Sequence, residues 1–77
     1  MEELLRAMAS GLVEDKEAIT ITVDEPDEDN IVVYHLHVAD DDMGRVIGKQ
    51  GRIAKAIRTV MHAGASRVGE KVMVEID

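Results

Sequence analysis

The chain has no cysteine, one proline (Pro26) and one aromatic residue (Tyr34). Without cysteine there is no disulfide framework and no thiolate metal site, a composition that fits a reducing cytosol. A single ring cannot build a platform on which successive bases stack, so stacking-platform modes of nucleic-acid binding are excluded. No apolar run is long enough to span a bilayer, and Met1-Glu2-Glu3-Leu4-Leu5 lacks the basic start of a signal peptide, so no membrane association is expected. The only serines are Ser10 and Ser66, neither with a histidine at a telling spacing, and no nucleophile–base set is legible. His35 and His37 share one face of a strand pattern, but no carboxylate is spaced in sequence to complete a metal site. The expectation is a binding protein rather than an enzyme, without metal or cofactor.

Charge is unevenly spread. The formal net charge is −7, yet residues 1–42 hold 13 acidic and 2 basic side chains, whereas residues 43–77 hold 7 basic and 3 acidic. Between Met43 and Gly69 no acidic residue occurs, while Arg45, Lys49, Arg52, Lys55, Arg58 and Arg67 all do. An acidic protein polarised in this way still offers a local site for phosphates.

Hydrophobic content is 45 %, nearly all aliphatic, enough for one small core in 77 residues. Leu4, Leu5, Met8, Leu12 and Val13 recur at helical spacing and predict a helix from Glu2 to about Val13, with Glu2 and Glu3 at its positive end. Ile19-Thr20-Ile21-Thr22-Val23 alternates and predicts a strand. Residues 24–30 form an acidic turn, and Ile31–Val38 is a second strand. Its Val32, Tyr34, Leu36 and Val38 face the helices; Ile31, Val33, His35 and His37 face outward beside Thr20, Thr22 and Met73. Asp40-Asp41-Asp42 caps a short helix, Met43–Ile47. A main helix runs from Arg52 to about Ser66 with Ile53, Ile57, Val60 and Gly64 as its core stripe, and Lys71–Ile76 is a third strand. Gly44 reads as a close packing point. Two surfaces are apolar enough to contact protein: the outer sheet face, and a main-helix face with Ala54, Arg58, Met61 and Ala65.

The run Val46-Ile47-Gly48-Lys49-Gln50-Gly51-Arg52-Ile53 is the most informative stretch. Two glycines flank Lys49 and Gln50 between two helical patterns, which predicts a tight turn where backbone can approach an extended anion. Glycine takes positive φ without strain, and the helix that follows turns its free N–H groups and positive dipole end toward the turn. The stretch from Gly44 to Gln50 is a poor P-loop: three residues rather than four separate its glycines, and Gln50 stands where a Ser or Thr would hold magnesium.

In this element order the run resembles the K-homology (KH) signature, whose G-x-x-G loop clamps a short stretch of nucleotide backbone. The whole chain is similar to small bacterial single-KH proteins of the KhpA (YlqC) type. The resemblance implies an α+β fold: a type II KH domain over residues 1–77, α-β-β-α-α-β, a three-stranded sheet with helices packed on one face. It implies a cytoplasmic protein that binds single-stranded RNA without catalysis, as a post-transcriptional regulator or RNA chaperone. It also implies self-association as a homodimer and pairing with a larger, Jag-type KH protein. Gly48 and Gly51 match the two glycines, Lys49 and Gln50 the variable middle, and Ile47 and Ile53 the apolar positions either side. The expected binding set is Arg45, Val46, Ile47, Gly48, Lys49, Gln50, Gly51, Arg52, Ile53 and Lys55. In it the N–H groups from Gly48 to Arg52 and the Lys49 and Arg52 charges face phosphates, and Val46, Ile53 and Arg45 line an apolar groove for the bases. The other class left open is a protein-interaction module, docking through its acidic half and outer sheet face, with residual RNA binding.

Overall fold

The computed structural model describes residues 1–77. Its elements are α1 (Glu2–Ser10), β1 (Thr20–Val23), β2 (Ile31–His37), α2 (Met43–Ile47), α3 (Arg52–Arg67) and β3 (Lys71–Ile76), with single 3-10 turns at Lys16–Ala18, Asp40–Asp42 and Lys49–Gly51. The α+β class and the α-β-β-α-α-β order are as expected. The first helix is shorter than its apolar pattern, closing at Ser10, although Val13 beyond it is still buried.

The sheet order is β1-β2-β3, with β1 antiparallel to β2 and β3 parallel to β2. A parallel neighbour requires a crossover, and α2, the glycine turn and α3 supply it. That connection fixes the position of the turn. The chain leaves the carboxyl end of β2, makes α2, turns at Gly48–Gly51, and runs back along α3 to start β3. The acidic loop between β1 and β2 lies at the other end of the sheet, where Pro26, Glu28 and Asp29 share a cleft with Gly69, Glu70 and Lys71. The acidic 24–30 loop and the glycine turn thus lie toward opposite ends of the crossover, while Asp40–Asp42 stays at the α2 end.

Leu5, Leu36, Val38, Val46 and Met61 are completely buried, each contributing roughly 1.5–3 kcal/mol by burial. Tyr34 belongs to this core; burial, then the nearby Glu70 and Glu2, push its phenol above the ordinary range. Along α3 the buried residues are Ala54, Ile57, Met61 and Ala65, while Val60 is 43 % exposed and Ile53 and Gly64 are half-buried. The expected stripe was rotated by one position. On the face expected as a protein contact, Ala54, Met61 and Ala65 are instead buried within the fold, and only Arg58 is exposed. Gly64 sits instead where α1 crosses, and a Cβ there would lie 3.3 Å from Leu4 and from Met1. A Cβ on Gly44 would meet nothing within 4 Å, so Gly44 is not a packing point.

Asp42 does not cap α2. It is buried, and its two oxygens accept hydrogen bonds from the backbone N–H groups of Glu14 (3.1 Å) and Asp15 (3.0 Å). Those two bonds, with the Arg45 guanidinium beside them, hold its carboxyl below the usual range. This clamp ties the segment after α1 to the start of α2. No helix of the protein is long and apolar enough to cross a membrane.

Candidate nucleic-acid interface

The turn between α2 and α3 is built on unusual backbone. Gly48 has φ 76° and ψ 177°, a region essentially confined to glycine. Gln50 (φ 56°, ψ 26°) and Gly51 (φ 75°, ψ 14°) are left-handed. The two glycines serve different needs. A Cβ on Gly48 would stand 2.3 Å from Cγ1 of Ile53, so the chain there is pressed against the first turn of α3. At Gly51 a Cβ would meet nothing within 4 Å, and only its φ calls for glycine.

Hydrogen bonds narrow the set of free donors. The Gly48 N–H donates to Gly44 O (2.9 Å), the Gly51 N–H to Gly48 O (3.2 Å), and the Arg52 N–H to Lys49 O. The N–H groups of Lys49 and Gln50 have no acceptor within the protein. These two adjacent backbone donors lie at the positive end of a 16-residue helix, an arrangement chemically suited to an anionic oxygen group.

Lys49, Gln50 and Arg52 are exposed around this turn, Ile47 is 37 % exposed, and Lys55 is exposed one turn further along α3. None of the cations Lys49, Arg52 and Lys55 enters an ion pair, so their charge is available to a ligand. Two members of the expected set are placed differently. Val46 is fully buried and supports the turn from inside the core rather than lining a groove. Arg45 is committed elsewhere, bridging Asp42 at 3.0 Å and Glu14 at 3.1 Å. The same bridge partly neutralises the acidic run ahead of the turn.

Two clefts flank α3. On the β3 side a cleft of about 430 Å³ is lined by Ile31, Arg58, His62, Val72, Met73, Val74 and Glu75. On the α1 side a cleft of about 260 Å³ is lined by Met8, Leu12, Ile53, Ala56, Ile57 and Val60. The β3-side cleft is the groove between the main helix and a strand edge. Ile53 lies in the other cleft. Arg58, His62 and Met73 were not in the expected binding set. Lys55, Arg58 and His62 fall at i, i+3 and i+7, which places them on one helix face and was readable beforehand. That this face borders an open strand edge was not. Across the sheet, the His35 ring is held by Asp24 (2.8 Å) and Glu75 (3.4 Å), which occupy both its nitrogens. The Asp24 hydrogen bond, followed by the surrounding carboxylates, raises its pKa.

Comparison with known proteins gives a consistent result. The family described as "KhpA/KhpB, KH domain" matches residues 2–76. The RNA-binding protein KhpA of Listeria monocytogenes is 49 % identical over 76 residues, covering 99 % of this chain and 97 % of the relative. That of Clostridium perfringens is 47 % identical over 99 % of both chains, and that of Aquifex aeolicus 37 % identical over 99 % of this chain and 94 % of the relative. Among solved structures, Era in complex with MgGDPNP and nucleotides 1506–1542 of 16S ribosomal RNA superposes with a TM-score of 0.60 at 23 % identity. The match covers 96 % of this chain and 28 % of the Era chain, and carries the fold alone.

Proposed function

The chain belongs to the KhpA/KhpB family of KH domains, and from that premise we propose that it holds single-stranded RNA through the Gly48-Lys49-Gln50-Gly51 turn and the cleft between α3 and β3. The family is not enzymatic, and the protein acts by binding. The observation that carries the reading is the turn itself: two unpaired backbone N–H groups at a helix start, ringed by three cations without acidic partners. The turn takes a phosphate, and its neighbour nucleotides lay their bases over the cleft, where unpaired edges can be read. With Tyr34 buried, hydrogen bonds and aliphatic contact replace stacking. Neutralised phosphates release counterions, so affinity falls with salt.

The protein acts in the cytoplasm as a post-transcriptional regulator or RNA chaperone, pairing with a larger, Jag-type KH protein and with itself. The α1-side cleft, lined only by apolar side chains, favours self-association through α3. Two copies then offer two turns to one RNA, and avidity offsets weak single-site binding. The test is titration of a labelled unstructured RNA and a hairpin of matched length at low salt. The unstructured RNA should bind more tightly. Equal affinity for the two contradicts the cleft, and no binding to either removes the RNA reading.

A further inference from the structure

Arg58 is held by backbone alone, without a carboxylate partner. It sits on the α3 face that borders β3, and its Nε–H donates to the backbone carbonyl of Val74 at 3.2 Å. The sheet geometry explains why that carbonyl is free. β3 is an edge strand, and the Asp77 N–H points inward to Leu36 O. Along a strand the backbone groups alternate in direction, so Val72, Val74 and Ile76 turn theirs away from β2. Arg58 covers one of these outward carbonyls. With Nε engaged on Val74 O, the two terminal nitrogens of Arg58, which lines the cleft, make no hydrogen bond within the protein. No carboxylate takes them, because Arg58 belongs to none of the four ion pairs. Around it Ile31, Val72, Met73 and Val74 give the cleft an aliphatic part, which it shares with His62 and the Glu75 carboxylate; Val72 is buried and Met73 is 51 % exposed.

We propose that Arg58 is the specificity-determining residue of a nucleobase site in the α3–β3 cleft, reading a base that presents two hydrogen-bond acceptors side by side. The proposal rests on the RNA reading above. A planar fork of donors matches adjacent acceptors. Guanine offers O6 and N7, and cytosine offers O2 and N3. Adenine pairs each edge acceptor with an amino donor, and uracil separates its carbonyls by an N–H. The cleft volume accommodates one base with room for its sugar. The aliphatic lining contacts the base face and excludes water from the fork, while Lys55, one turn nearer the glycine loop, remains available to the intervening phosphate.

The test uses the full chain and four ten-nucleotide RNAs: an oligouridine, and the same strand with one central A, C or G. The C or G strand should bind about tenfold more tightly than the A and U strands. Replacing a central G by 7-deazaguanine, or a central C by a cytosine analogue lacking N3, distinguishes which acceptor pair is read and should erase the gain. Arg58→Lys keeps the charge but lacks the fork. It should level the four strands, the C or G advantage falling to within about twofold of the A and U strands. A thermal melt separates this from damage to the β3 edge, and Arg58→Gln provides a second, uncharged variant. Equal binding of all four strands by the unmodified protein overturns the inference and leaves the RNA reading standing. So does an unchanged base ranking in both variants. Failure of the unmodified protein to bind any strand overturns both.

Discussion

On its β3 side α3 presents Lys55, Arg58 and His62 beside an open strand edge; on its α1 side it presents Ile53, Ala56 and Val60 beside Met8 and Leu12. Both flanks are concave, and the glycine turn stands at the amino end of the helix between them. They differ in what they leave unsatisfied. The β3 flank has backbone groups and cationic donors that call for polar partners, whereas the α1 flank has only aliphatic carbon facing water. A polar flank gains from a ligand with acceptors and negative charge, as RNA has. An apolar flank gains from another apolar surface. Under the proposed function one helix would serve two partners on separate flanks.

Disrupting the glycine turn should have the largest effect. Gly48→Val puts a β-branched side chain in a glycine-only conformation and into Ile53, and should cost about 2–5 kcal/mol. Both flanks should fail together, seen as a lowered Tm with loss of RNA binding and of dimer. If the variant melts like the parent, the turn is not the shared anchor. Lys49→Asp with Gln50→Asp separates the flanks. The added charges face the phosphate but touch no core residue, so RNA affinity should fall on the order of a hundredfold, with stability within about half a kcal/mol. Loss of cooperative melting would instead make the loop structural.

Val60→Asp is the reverse cut. Val60 is 43 % exposed on the α1 flank, so the monomer should fold while self-association weakens more than about tenfold. Sedimentation equilibrium over a dilution series reads it, and an unchanged mass would place the dimer contact elsewhere. Intrinsic affinity for a short RNA should persist in this variant.

Acid should sharpen the contrast further. Asp42 ties the segment after α1 to α2, and its folded pKa lies below its unfolded value. Its contribution is therefore fully present above the ordinary carboxylate range, near pH 4, and is lost as pH falls through the depressed folded value. Hydrogen exchange should show Glu14 and Asp15 amides losing protection there before β2 and β3, and Asp42→Asn should remove the difference. The smallest effect is expected at Gly44→Ala. The site is helical with open space around it, so Ala should stabilise α2 by about 0.5–1 kcal/mol without disturbing either flank. Weakened RNA binding in this variant would extend the interface onto α2.

Much was legible in the residues. Period-two alternation gave the three strands, since a half-buried strand must alternate. The turn was legible because two glycines between helical patterns leave few backbone options, and the separation of charge needed only counting. The amino acids also excluded stacking, disulfides and membrane spans through what they lack.

Tertiary structure decided which half of α3 is core. Apolar side chains at 53, 54, 56, 57, 60, 61, 63 and 65 cover more than half its circumference. Period alone cannot then say which half is buried, and the sheet settled it by packing on Ala54, Ile57, Met61 and Ala65. The same rotation brought Arg58 to the β3 edge. Asp42 is the second case. Its position reads as a helix cap, but its partners lie 27 and 28 residues away, and only the folded chain brings those amides within reach. Local rules register spacing along the chain; which faces meet is set by the packing of elements far apart in sequence, and that packing assigned each side of α3 its exposure.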